Sequence, residues 1–210
     1  GQAQLLKSSV TPKAGLVIVP SKDRYLRGFE AQTGALLWEQ KTLGPNVASV
    51  VVVDDDFLVA SLDGHVYRMH QRNGRVVWDS GSLGKGALYA PPVVSGDRVF
   101  VTGDDDRLTA LSLKDGTRLW ERDRPALSSD SVVSRITGQA GAVVSAGKVF
   151  TGFSDGRLMA YDATDGATLW SRDLSGGARE FVDVDATPIV TNEGLLITSG
   201  YATGLYGIDS

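Results

Sequence analysis

Four tryptophans recur in one setting. "GFEAQTGALLW" ends at Trp38, "RMHQRNGRVVW" at Trp78, "ALSLKDGTRLW" at Trp120 and "AYDATDGATLW" at Trp170, each with a glycine four residues before the indole. A second block precedes each of them: "GLVIVPSKDRYL" from Gly15, "DFLVASLDGHVY" from Asp56, "DRVFVTGDDDRL" from Asp97 and "GKVFTGFSDGRL" from Gly147. A fifth copy, "GLLITSGYATGLYGID", runs from Gly194 to Asp209 without the glycine and tryptophan.

Each unit reads as a short apolar strand such as "PPVVS" or "TPIVT", then "RVFVTG", an Asp-Gly-type turn, "RLMAYD", a second turn holding the glycine, and "TLWSRD". Asp-Gly between alternating runs suits a two-residue hairpin, because glycine tolerates the positive φ required there. Four antiparallel strands in about 40 residues make one blade of a β-propeller. The sequence therefore predicts an all-β chain of four blades plus most of a fifth. A two-sheet sandwich does not explain a glycine and a tryptophan returning in register.

The 210 residues, 42% of them hydrophobic, are enough to bury a core, and 25 glycines fit a turn-rich fold. A net charge of −4 with scattered Lys and Arg argues against a nucleic-acid partner, which needs a basic stripe to neutralise phosphates. No run of about 18 apolar residues is present, so no membrane-spanning helix is expected. Absence of cysteine removes disulfides, Cys-ligated zinc and thiol chemistry. Any lipid-bearing cysteine is expected upstream of Gly1.

The pattern Ala-x-Asp-x-x-x-Gly-x-x-x-Trp, complete in Ala160, Asp162, Gly166 and Trp170, resembles the tryptophan-docking motif of the PQQ-type β-propeller family. Glu30, His70 and Ser112 stand at the Asp position of the other copies. The resemblance implies a structural role for Trp38, Trp78, Trp120 and Trp170, each packing between neighbouring blades. The indole suits such a seam, burying a large area while keeping an N–H to donate.

From each tryptophan to the next second strand, residues 38 to 57, 78 to 99, 120 to 149 and 170 to 195, the intervals are 19, 21, 29 and 25 residues. Strand direction puts the two lengthened connections on one face of consecutive blades, and per-repeat insertions commonly mark a binding face. Loop drift is the plainer alternative.

"RITGQAGAVVSAGKVFTGFSDGRLMAYDATDGATLW" followed by "REFVDVDATPIV" resembles the middle blades of the BamB family, propeller lipoproteins of the bacterial outer-membrane β-barrel assembly machinery. The shared features are an Asp-Val-Asp-x-x-Pro segment and a Ser/Asn-Asp/Asn-Gly-Arg hairpin, within about residues 130 to 190. The resemblance implies a non-enzymatic scaffold on the periplasmic face of the outer membrane, docking onto the POTRA domains of BamA. Asp183 and Asp185 match the family's two aspartates. Its Leu-x-Leu-Arg stretch falls on residues 134–137, where Arg135 and Ile136 keep an apolar-plus-Arg character with the Arg shifted. The resemblance further implies an eight-bladed ring, of which this chain supplies a portion. The competing expectation is a five-bladed ring closed by "QAQLL" near Gly1 as a fourth strand.

Residues two apart share a face of an extended chain, so Asp183 and Asp185 project together and can receive Arg or Lys from a partner beside an aliphatic anchor. A local Asx turn or a calcium site are the alternatives. The triplets Asp54–Asp56 and Asp104–Asp106 read as exposed turns rather than metal loops, since consecutive acids cannot converge on one ion. His65 and His70, five apart, point to opposite faces and read as solvent-facing. No cofactor is expected: a quinoprotein dehydrogenase would need calcium ligands, a catalytic Asp and, in many members, an adjacent Cys pair. A generic propeller-type binding or sensory module stays open as a second function.

Overall fold

The computed structural model describes residues 9–11, 15–124, 140–176, 183–184, 186–200 and 204–209. Among them every regular element is a strand, and the strands form five antiparallel sheets in chain order. The first sheet comprises β1 (Ser9–Thr11), β2 (Leu16–Pro20), β3 (Tyr25–Glu30) and β4 (Leu36–Lys41). The second comprises β5 (Val51–Val53), β6 (Asp56–Ala60), β7 (Val66–His70) and β8 (Val76–Asp79). β9 (Val93–Ser95), β10 (Arg98–Gly103), β11 (Arg107–Ser112) and β12 (Arg118–Asp123) follow. The fourth sheet holds β13 (Val143–Ser145), β14 (Lys148–Gly152), β15 (Arg157–Asp162) and β16 (Thr168–Asp173). The fifth has three strands: β17 (Ile189–Val190), β18 (Leu195–Gly200) and β19 (Gly204–Asp209). The repeat thus reads correctly as propeller blades. "QAQLL" lies outside the described residues.

The core is divided among four apolar clusters, one at each seam between successive blades. This explains the near-continuous apolar runs of the middle strands. Val99, Phe100 and Val101 on β10 are all buried, because both faces of the sheet are covered. The outer strand differs: on β4, Trp38 is buried between exposed Leu37 and Glu39.

Trp38, Trp78 and Trp120 are each 8% exposed, and each donates its indole N–H into the next blade. The acceptors are the carbonyls of Gln71 at 2.8 Å, Leu113 at 3.1 Å and Ala163 at 3.3 Å. The ring of each lies over the glycine of the following repeat. A Cβ on Gly74, Gly116 or Gly166 would come within 2.5, 2.6 and 2.7 Å of the preceding tryptophan, and all three glycines hold a positive φ. The motif is therefore a cross-blade pair, with the tryptophan of one repeat packed on the glycine of the next.

The hairpin between the second and third strands is wider than the two-residue form that Asp-Gly suggests. In the second blade, Ser61 N–H donates to the His65 carbonyl and Gly64 N–H to the Ser61 carbonyl. The Asp63 carboxylate accepts the His65 N–H at 3.2 Å, as Asp155 accepts that of Arg157 and Asp23 that of Tyr25. The aspartate closes an Asx turn that enlarges the loop. Its fourth position is left-handed in the first four blades: Arg24, Gly64, Asp106 and Gly156 have φ of 72°, 82°, 60° and 83°.

Candidate docking surface

Inter-blade connections and these hairpins share one face. The four connections, bounded by β4 and β5, β8 and β9, β12 and β13, and β16 and β17, contain 9, 13, 19 and 15 residues. The last two are the longer pair, as the repeat intervals imply. In each of the first four blades the carbonyl at the hairpin's fourth position takes the N–H of the connection leaving that blade: Arg24 from Thr42, Gly64 from Leu83, Asp106 from Arg124, and Gly156 from Leu174.

The roots of both long connections meet around the fourth-blade hairpin. Arg124, the last described residue before the first of them, sets its guanidinium Nε 3.3 Å from Asp106 Oδ2. Asp106 in turn receives the Ser154 N–H at 2.9 Å and the Ser154 hydroxyl. In the second long connection, Val184 is fully buried; its N–H donates to the Phe153 carbonyl at 3.1 Å and its side chain presses on Gly152. Its neighbour Asp183 is only 2% exposed. The expectation of a solvent-facing carboxylate at Asp183 thus meets a buried one, because docking of Val184 draws the segment down onto β14. Asp185, Arg135 and Ile136 lie outside the described residues.

The triplet Asp104–Asp106 is a turn with Asp105 exposed, as expected, but its acids are engaged and Asp106 departs from the expectation. Asp104 accepts the Ala87 N–H at 2.7 Å and Asp105 the Gly86 N–H at 3.1 Å, while Asp106 is buried. The repeat position did not mark it in the sequence, since the equivalent residue is glycine at Gly64 and Gly156 but an exposed Arg24 in the first blade. In the other triplet, Asp54 and Asp55 are exposed and Asp56 pairs with Arg68 at 2.7 Å. His65 is not solvent-facing either; its Nδ1 lies 2.8 Å from Asp79 and its ring stacks on Tyr67.

Asp155 sits beside Ser154 with its side chain 1% exposed. Burial pushes its carboxyl above the usual range, Asp106 adds to that, and the Arg157 N–H with the Arg124 and Arg157 charges pulls the other way. Next to this group, Lys85, Asp105, Asp106, Arg107, Asp123 and Arg124 line an open cleft of about 610 Å³. Arg107 is held there by Asp123 at 3.0 Å and Glu121 at 3.4 Å. Among the described residues, no three His, Asp or Glu side chains come together to hold a metal ion, and no helix is long and apolar enough to cross a membrane.

A family model described as "Outer membrane protein assembly factor BamB" matches residues 3–88 and 22–210. The protein of that name from Yersinia pestis is 26% identical over 136 residues, which are 63% of this chain and 34% of that protein. Its counterpart from Legionella pneumophila is 27% identical over 131 residues, 56% of this chain and 33% of the relative. The chain thus spans about a third of the length of these relatives. Among solved structures, BamB from Moraxella catarrhalis superposes with a TM-score of 0.72 at 22% identity, covering 97% of this chain and 57% of the other. A quinohemoprotein alcohol dehydrogenase from Comamonas testosteroni superposes with a TM-score of 0.70 at 13% identity, covering 96% and 40%. At such identities the structural likenesses show the fold.

Proposed function

The chain belongs to the family of outer membrane protein assembly factor BamB, and from that membership we propose that it is a non-enzymatic scaffold of the outer-membrane β-barrel assembly machinery. Its place is the periplasmic face of the outer membrane, and its partner a BamA-like barrel protein, met through the POTRA domains. The five sheets are part of a larger, eight-bladed ring.

The observation that carries the docking reading is the convergence of both long connections on the fourth-blade hairpin, through Arg124 and Asp106 on one side and Val184 and Phe153 on the other. A binding site assembled from two loops is positioned best when both loops are rooted on one rigid element. Asp185, Arg135 and Ile136 serve as the contacts, the charges guiding approach and the isoleucine supplying apolar burial. Asp183, buried in the free chain, holds the base of its segment. Two family-matched aspartates therefore have different tasks.

The test is binding of the purified chain to immobilised POTRA domains of a BamA-type protein. Saturable binding is expected, weakened about tenfold or more by Asp185→Arg combined with Arg135→Glu while the melting curve stays in place. A wild-type chain that does not bind overturns the proposal.

A further inference from the structure

The turn joining the third and fourth strands of a blade carries the same local bond in the first four blades. Thr33 Oγ1 accepts the Ala35 N–H at 3.2 Å, Asn73 Oδ1 the Arg75 N–H at 3.0 Å, Asp115 Oδ1 the Thr117 N–H at 3.1 Å and Asp165 Oδ1 the Ala167 N–H at 2.8 Å. The glycine inside each pair is left-handed. In the second blade, unlike the other three, the accepting side chain is an amide.

Asn73 is exposed and followed by Gly74, whereas the chain's other two asparagines, Asn46 and Asn192, precede Val47 and Glu193. An asparagine side chain is open to attack by the main-chain nitrogen of the next residue, and glycine, with no Cβ, hinders that approach least. The Asx turn folds the Asn73 amide back over the backbone, and the Arg75 N–H already donates to the oxygen that turns negative in the attack. The seam with the first blade opposes it. Gly74 N–H is held by the His70 carbonyl at 2.9 Å, and Gly74 lies under the Trp38 ring, whose own N–H is tied to the Gln71 carbonyl at 2.8 Å.

We propose that Asn73 is a self-modification site of this chain, losing its side-chain amide through a succinimide when the Gly74 amide leaves the His70 carbonyl. The Gly74 nitrogen bonds to Asn73 Cγ, the Cγ–Nδ2 bond breaks, and ammonia departs with the proton that the Gly74 amide gives up. Water then opens the ring. Attack at Cγ leaves an ordinary aspartyl residue, while attack at the main-chain carbonyl leaves an isoaspartyl one, whose extra main-chain carbon lengthens the turn. The fold receives these products differently. An aspartyl residue repeats what Asp115 and Asp165 do in the same turn, so the Arg75 N–H keeps its acceptor. An isoaspartyl residue moves Gly74 against an indole that would stand only 2.5 Å from an added Cβ, so it loosens the first seam.

The test is to age the purified chain at mildly alkaline pH, folded and in urea. Peptide mapping reads amide loss at each asparagine, and an isoaspartyl methyltransferase marks the isoaspartyl form. In the folded chain Asn73 is expected to convert at least about tenfold faster than Asn46 or Asn192, and about tenfold slower than in urea, because ring closure waits on local opening of the turn. Asn73→Asp should melt with wild type, and aged chain enriched in the isoaspartyl form should melt about 3 °C or more lower. An Asn73 that keeps its amide in the folded chain after the chain in urea has converted overturns the site. Equal rates in the two states overturn control by the seam. A large drop in melting for Asn73→Asp, or none for the isoaspartyl form, overturns the distinction between the products.

Discussion

Gly34 and Gly74 occupy the same place in successive repeats, with φ of 70° and 67°, yet their surroundings are opposite. A Cβ on Gly74 would strike Trp38 at 2.5 Å, whereas one on Gly34 would meet nothing within 4 Å. The same contrast runs through the tryptophans, Trp38, Trp78 and Trp120 being buried and Trp170 half-buried. At Gly74, Gly116 and Gly166 glycine thus answers both the left-handed backbone and the indole above it, while among the described residues Gly34 answers the backbone. The difference separates two physical reasons that one sequence motif merges.

Removing an indole should break the comparison most. Trp78→Ala deletes a buried ring and its bond to Leu113, and a loss of about 3–5 kcal/mol is expected in urea denaturation. Trp170→Ala should cost about half as much, since less of the ring is covered. Equal losses would show that burial at the seam does not set the contribution.

The glycines give the next largest effect. Gly34→Ala should cost about 1–2 kcal/mol from left-handed strain alone. Gly116→Ala, at φ 74° and 2.6 Å from Trp78, should cost about 2 kcal/mol more, because the indole must shift. Identical melting temperatures for the two variants would assign the recurrent spacing to the turn and remove the cross-blade explanation.

This pairing also explains what could be read from the sequence. The glycine and tryptophan of each repeat stand four residues apart, so their recurrence is visible in one dimension even though their contact joins different repeats. The burial of Asp183 was not visible, because it follows from Val184 seating on Gly152 of an earlier strand. Asp106 was hidden for the same reason: its partner Ser154 lies 48 positions away, and an acidic triplet looks solvated until that partner is placed. His65 was misjudged because Asp79 meets it across the β7–β8 pair rather than along the chain. Periodic features were legible; contacts between non-equivalent positions were not.

A smaller contrast lies two residues before each tryptophan. Val76 packs against the first seam's cluster, while Leu36, its equivalent, is 55% exposed. Val76→Thr places a hydroxyl against apolar neighbours and should cost about 1 kcal/mol. Leu36→Thr should stay within about 0.5 kcal/mol of wild type. A comparable loss at Leu36 would mean that the first blade's outer face is covered in solution.

The smallest effect is electrostatic and compares Asp155 with Asp23, third residues of their hairpins. Asp155, in an interior seam, is raised above 3.8 by burial. Exposed Asp23, on the first blade, is lowered below 3.8 chiefly by its hydrogen bond from Arg27. For Asp155 the folded state holds the proton more tightly than the unfolded one. Its ionisation therefore costs stability at neutral pH, and the cost fades as pH falls through its raised pKa toward 3.8. Asp23 does the reverse: its contribution is present above 3.8 and is lost as pH falls through its lowered pKa. Asp155→Asn keeps an acceptor for the Arg157 N–H, so relative to wild type it should gain most at pH 7 and lose that advantage on acidification. Asp23→Asn should be the less stable chain at pH 7 and converge on wild type only below the ordinary carboxylate range. Chemical denaturation of both variants between pH 3 and pH 7 reads the two slopes, and slopes of the same sign would show that covering the hairpin by a neighbouring blade does not govern the acid at its third position.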